Sequence, residues 1–273
     1  MKLFFFDRVT SRDGPFSTLA LRAAIALPVE FNWREYAIYL LTIGAQIEHS
    51  LMVQYLYAAY SLGGPQIPED HRAAVAGWRQ IILGIAKEEM GHLVTVQNLL
   101  KFLGAPLALD REDYPWDILL APYPFTLERL TRATLAKYVV AESPENWPAG
   151  VPAEERKEIE GLAAKANGKQ VNRVGKLFDA LTDIFGDDSK LPNSAFHPET
   201  YPLQASWDEF ARGYGKGARG SSIAVTNKTP DVLVIRVASR TDALAALKAV
   251  AEQGEAPGDS YPSGVARRRP ASG

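Results

Sequence analysis

The chemistry available to this chain rests on four side chains: Glu48, Glu89, His92 and Glu142. Glu48 stands in "IGAQIEHSLMVQYLYAAYSL" and is the one formally charged residue between Glu35 and Glu69. At helical spacing it shares a face with Leu41, Gly44, Ala45, Leu51, Met52, Tyr55 and Ala59, which places it on a packed surface. A carboxylate there loses its hydration, so it needs a cation or hydrogen-bond donors, or it takes up a proton. Glu89 and His92, in "IAKEEMGHLVTV", are three residues apart on a stripe that also carries Ile82, Ile85, Ala86, Leu93 and Val96. Side chains at that spacing point the same way, so one oxygen and one nitrogen can hold a transition metal ion; a buried ion pair is the plainer alternative. Glu88, four before His92, reads as outer support. Glu142 closes "LAKYVVAE" on a face with Leu135, Tyr138 and Val139. The helix dipole disfavours an acid in a last turn by ~0.3–1 kcal/mol, so a metal or an arginine is expected beside it, unless it is simply exposed near Pro144.

The elements that must position these residues follow from periodicity and breakers. A helix is predicted over 33–62, broken by "GGPQIPED", and a second over 71–103, stopped by Gly104 and Pro106. Residues 104–125 contain four prolines and read as an extended crossover. Thr126 is expected to open a third helix ending near Glu142. After the loop "SPENWPAGVP", a fourth spans 153–185 and is closed by "GDDSKLP". Two long helix pairs joined by a long crossover make a mainly α, ferritin-like four-helix bundle. The last third changes character: "SSIAVTNKTPDVLVIRV" suggests a small β-hairpin near 221–237, and Thr241 is expected to cap a C-terminal helix to about 253. The domain reading is an N-terminal extension over 1–30, a helical domain over 31–255 and a disordered tail over 256–273.

Composition narrows the classes. With 47% hydrophobic and 23% charged residues the chain reads as a soluble globular protein. A formal net charge of −2 gives no reason to expect nucleic acid or an anionic membrane as a partner. Zero cysteines exclude disulfides, thiolate metal sites and thiol nucleophiles, and the cytoplasm is the expected compartment. The apolar patch in "MKLFFFDRVTSRDG" is short for a signal peptide. The opening helix is long enough to span a bilayer, but Gln46, Glu48, His49 and Gln54 would then lie at its centre, where a carboxylate costs at least ~2.5 kcal/mol. A core helix is the expected reading.

The segments "IEHSLMVQYLYAAYSL", "IAKEEMGHLVTVQNLLKFLGAP" and "ALAALKAVAEQGEA" together resemble the ferritin-like domain family related to iminophenyl-pyruvate dimer synthase of bis-indole pigment pathways, over roughly residues 30–255. The resemblance implies a four-helix bundle with a long crossover. It also implies that Glu48, Glu89, His92 and Glu142 are ligands of a di-metal, typically di-iron, centre. Such a centre activates dioxygen to oxidise a small organic substrate in bacterial specialised metabolism, with Tyr55 and Tyr57 as the first candidates for a ring facing it. The chain departs from the family where the fourth helix usually supplies a carboxylate and a second histidine: "VNRVGKLFDAL" offers Asn172 and Lys176, and Lys176 is expected in solvent. A second histidine would have to be His197 or His49, or the site does without one, and a terminal carboxylate would be Glu252 or Glu255. The competing class is therefore a ferritin-like binding or scaffold protein with a degenerate, mono-metal or empty site; a homo-oligomer is left open in either case.

Overall fold

Asn32 sets the start of α1 (Trp33–Tyr60). Its side chain accepts from the Glu35 amide at 2.9 Å, and the Glu35 carboxylate accepts from the Asn32 amide at 3.0 Å. This capping box satisfies amides that a helix start otherwise leaves open. The computed structural model describes residues 27–28, 30–111, 120–144, 147, 150–206, 232 and 234–254. After α1, Gly63 and Gly64 take φ of 112° and 109°, and a 3-10 turn (Glu69–His71) leads into α2 (Arg72–Phe102). α2 runs unbroken through Gly84 and Gly91 and is closed by Gly104 at φ 64°.

α1 and α2 lie antiparallel. At one end the Arg34 guanidinium donates to the Leu103 carbonyl; at the other, Leu62 lines one pocket with Trp78 and Ile82. The seam between them is apolar, with Leu40, Leu41, Leu51, Val96, Leu99 and Leu100 at most 1% exposed. Burying such a side chain contributes about 1.5–3 kcal/mol, so the seam holds the pair firmly enough to carry polar side chains inside it.

The remaining described helices are α3 (Arg132–Ala141), α4 (Ala153–Asn167), α5 (Gly175–Gly186) and α6 (Arg240–Gly254). α5 packs on α6 and on α1, and α6 also touches α2; α3 and α4 pack on each other. Where α5 approaches α1, Gly44 faces Leu177 and Phe178. Among the described residues the fold is helical throughout, without strands, and no described helix is long and apolar enough to cross a membrane.

Several boundaries differ from the sequence expectation, each for a local reason. The third helix begins at Arg132 rather than near Thr126. The amides of Thr126 and Leu130 are taken by Gln54 of α1 and by its C-cap residue Ser61, donating to Gln54 Oε1 at 3.1 Å and Ser61 Oγ at 2.8 Å, which keeps that stretch extended until Thr131 caps the helix. The single helix expected over 153–185 is two helices. Gly168, at φ 73°, ends α4, and the following connector spends its backbone elsewhere: the Asn172 amide donates to the Pro122 carbonyl and the Val174 amide to the Ala141 carbonyl. The cap of the last helix is Ser239, not Thr241: Ser239 Oγ accepts from the Asp242 amide, and Asp242 accepts from the Ala238 amide. Of the expected hairpin near 221–237, only 232 and 234–237 are described, and they form no strand; the rest lies outside the described residues, as do most of the N-terminal extension and all of the tail.

Candidate metal centre

Glu48, Glu89 and His92 meet in the α1–α2 seam. Glu48 comes from the middle of α1, and Glu89 and His92 from consecutive turns of α2; the three are 1–3% exposed. His92 Nδ1 lies 3.2 Å from Glu89 Oε2 and 3.4 Å from Glu48 Oε2. One oxygen from each carboxylate and one imidazole nitrogen all lie within 4.8 Å of one another, a spacing that could hold a metal ion. The apolar partners of the helix faces, not the polar residues themselves, bring them together: Leu51 and Tyr55 on α1 and Ala86, Leu93 and Val96 on α2 are all buried around them.

The electrostatics of this cluster are those of too many acids in too little water. Burial, reinforced by Glu48, pushes the Glu89 carboxyl up to about 8, against the pull of His92. For His92, burial works to lower its pKa, but the close approach of Glu48 and then of Glu89 wins and raises it well above the usual imidazole value. At neutral pH His92 therefore keeps its proton, and the Glu89 carboxyl largely keeps its own. Neither oxygen of Glu48 receives a well-formed hydrogen bond among the described residues; the 3.4 Å approach of His92 is an ion-pair distance only. A buried carboxylate with orphaned oxygens, a second carboxylate and an imidazole form a donor set that suits a divalent transition metal such as iron, manganese or zinc.

Glu142 sits beside this group rather than within it. It is the C-cap residue of α3, half-buried, and its carboxylate accepts a short hydrogen bond from the Tyr55 hydroxyl. Burial and then the charge of Glu89 raise its pKa well above the carboxylate range, with Tyr55 opposing. Arg173 donates to the Ser143 carbonyl at 2.7 Å and the Val140 carbonyl at 3.3 Å, satisfying the end of α3 while Tyr55 holds the acid. Glu88 is half-buried, and burial raises its pKa too.

The other sequence candidates lie elsewhere. His49 Nδ1 approaches the Leu109 carbonyl at 3.1 Å, and His197 pairs with Glu199 at 2.8 Å on the surface. Asn172 donates to the Ala121 carbonyl at 2.9 Å. Lys176 is half-buried rather than in solvent, and Glu252 and Glu255 fall outside what is described of side chains. Tyr57 is 43% exposed, which removes it as a site-facing ring, whereas Tyr55 is buried against the acids. Sequence reasoning missed the rings around Tyr55. Tyr138 packs edge-on to it with centroids 4.6 Å apart, and Tyr123 lies 5.8 Å from Tyr138. Burial lifts the Tyr55 and Tyr123 hydroxyls well above the ordinary phenol range, so both keep their protons. Tyr138 shares a helical face with Glu142 and was visible in that spacing; Tyr123 arrives from the Tyr-Pro segment, where no periodicity signals it.

Comparison with known proteins places this geometry in a lineage. A family model described as ferritin-like matches residues 41–264. Over 129 residues the chain is 32% identical to a protein of Lentzea aerocolonigenes named dichlorochromopyrrolate synthase, a match covering 40% of this chain and 13% of that one. Over 178 residues it is 31% identical to the 2-imino-3-(indol-3-yl)propanoate dimerase of Chromobacterium violaceum, covering 55% of this chain and 16% of that protein. The matched part thus spans less than a fifth of either relative's length. No solved structure matches. With the family model covering most of the chain, the helical architecture and a buried acid–histidine cluster on the first long helix pair have one common explanation: this chain belongs to the ferritin-like family.

Proposed function

We propose that this chain is a non-haem iron oxidoreductase of specialised metabolism, with Glu48, Glu89 and His92 holding the metal and Glu142 as the further carboxylate that a second ion would require. The observation that carries this reading is the orphaned Glu48 carboxylate, buried beside a second acid and one histidine. Bound iron would supply one-electron chemistry with dioxygen, which carboxylates and imidazole do not perform alone. The roles of this chain's own residues follow from their positions. Glu48 and Glu89 bring negative charge that a divalent ion neutralises, and neutral His92 adds a nitrogen donor when its proton is displaced. The leucines of the seam exclude bulk water, and Tyr55 keeps Glu142 turned toward the cluster. The substrate class is proposed from the relatives' names: an aromatic imino acid is the first small molecule to try.

A second reading is favoured by one observation. The described residues bring a single histidine to the cluster, and the Asn172 side-chain amide donates to the Ala121 carbonyl. On that ground the site holds one ion and serves binding rather than oxidation. Loading the protein with Fe(II) under anaerobic conditions, then measuring oxygen uptake with and without an indolyl imino acid generated in situ, separates the two. Substrate-dependent uptake lost in Glu89→Gln is the expected result; iron retention without uptake would leave the binding reading.

A further inference from the structure

Near the C-terminal end of α1, several large apolar side chains stand open to solvent around a hollow of ≈ 460 Å³. It is lined by Trp78, Ile81 and Ile82 of α2, by Leu135 of α3 and by Leu62 just past the end of α1; among the described lining residues Arg132 alone is charged. Trp78 is 56%, Ile81 63% and Leu135 42% exposed. Contiguous apolar surface of this kind marks an interaction site, and the volume falls in the ~300–1,000 Å³ of small-molecule pockets.

The hollow shares its helix faces with the acid cluster. On α2 one stripe runs Trp78, Ile82, Ala86, Glu89 at spacings of four, four and three, along an unbroken helix. On α3, Leu135, Tyr138 and Glu142 follow at three and four. Seven helical residues rise about 10 Å, so Ile82 stands roughly that far along α2 from Glu89, and Leu135 roughly that far along α3 from Glu142. Exposure falls along both stripes: Ile82 is 8%, Ala86 2% and Tyr138 6% exposed. The open apolar wall thus passes by one helical turn into the buried ring and acids.

We propose that this hollow binds a small aromatic acid beside the acid cluster, with the ring held by Trp78, Ile82 and Leu135 and the carboxylate by Arg132. An open indole face offers a flat ring both area and stacking, which an aliphatic chain cannot use. Arg132 is paired with Glu158, but the two side chains are 77% and 55% exposed. Such a pair holds weakly, so the guanidinium can exchange Glu158 for a ligand carboxylate, which it grips with two parallel donors. That the bound acid is the molecule oxidised rests on the oxidoreductase reading; that it binds does not.

Calorimetric titration of the metal-free full chain with indole-3-acetate tests the site. One molecule is expected to bind per chain. Trp78→Ala should weaken it about tenfold, while Leu107→Ala, which trims an exposed leucine outside the hollow, leaves it unchanged. Arg132→Gln should weaken indole-3-acetate about fivefold and neutral indole hardly at all, a difference that a merely greasy patch would not show. No saturable binding up to ~1 mM would overturn the proposal, as would equal affinity in the parent and Trp78→Ala. So would sedimentation showing a dimer that Trp78→Ala dissociates, since a second copy would then occupy this face. Failure of the metal reading looks different: indole-3-acetate bound in this way by a chain that retains no iron sustains the hollow and sinks the oxidoreductase.

Discussion

At the scale of single residues, the question is why an apolar helix carries Glu48. The structure answers with a neighbour and a deficit. His92 stands at ion-pair distance, and yet both Glu48 oxygens lack a proper hydrogen bond. In the metal-free protein, then, Glu48→Gln is expected to leave stability unchanged or improved, since a buried charge disappears while the helix keeps a good former. A fall in melting temperature of more than about 5 °C would mean that His92 alone is an adequate partner and that the acid is structural. Protonation gives a second test. The carboxyl of Glu89 is raised from 4.5 in the unfolded chain to about 8 in the folded one, and His92 is raised above 6.5. Both shifts mean that the folded state binds more protons than the unfolded state, Glu89 between pH 4.5 and about 8 and His92 from 6.5 upward. Stability must then fall as pH rises through these windows. Urea titrations of metal-free protein should show the midpoint decreasing from pH 5 to pH 8, and Glu89→Gln should flatten the lower part of that slope. An increase with pH would contradict the assigned shifts. Tyr55→Phe removes the donor to Glu142 and is expected to destabilise the fold by about 1–2 kcal/mol, whereas the exposed Tyr57→Phe should be silent.

At the scale of elements, legibility followed the strength of the local signal. α1 and α2 were readable almost to the residue because long apolar stripes end in strong punctuation, "GGPQIPED" after the first and Gly104 after the second. The E-x-x-H pair and Glu48 were readable from the same stripes, since polar groups on an apolar face stand out. The start of α3 was not, because Thr126 and Thr131 are both plausible caps and the choice is made by Gln54 and Ser61 on another helix. The break at Gly168 was overlooked because Gly, Asn and Gln in "AKANGKQVN" are tolerable inside a helix, and only tertiary contacts to Pro122 and Ala141 draw the chain away. Tyr123 was invisible for the same reason. Two glycines separate strain from contact experimentally. At Gly168 a Cβ meets nothing within 4 Å, so Gly168→Ala should cost only the left-handed backbone term of about 1–2 kcal/mol. At Gly104 a Cβ would stand 2.5 Å from His197 Cδ2 as well, so Gly104→Ala should lower the melting temperature clearly more. Equal effects in thermal unfolding would show that the surface His197 simply moves aside.

For the whole molecule, membership of the ferritin-like family explains the architecture, while the function rests on whether the cluster in the α1–α2 seam holds a metal. The fold would persist without one, since the seam is held by the buried apolar side chains of both helices. Metal binding is therefore separable from folding, which makes a direct measurement decisive. The chain and its Glu48→Ala variant should be loaded with Fe(II) anaerobically, freed of unbound metal and assayed together for iron per chain, with circular dichroism confirming equal helix content. The parent is expected to retain about one or two ions per chain and the variant none, at unchanged helicity. Iron retained in full by the variant, or none retained by the parent, would contradict the assignment of Glu48 as a ligand and the oxidoreductase reading with it.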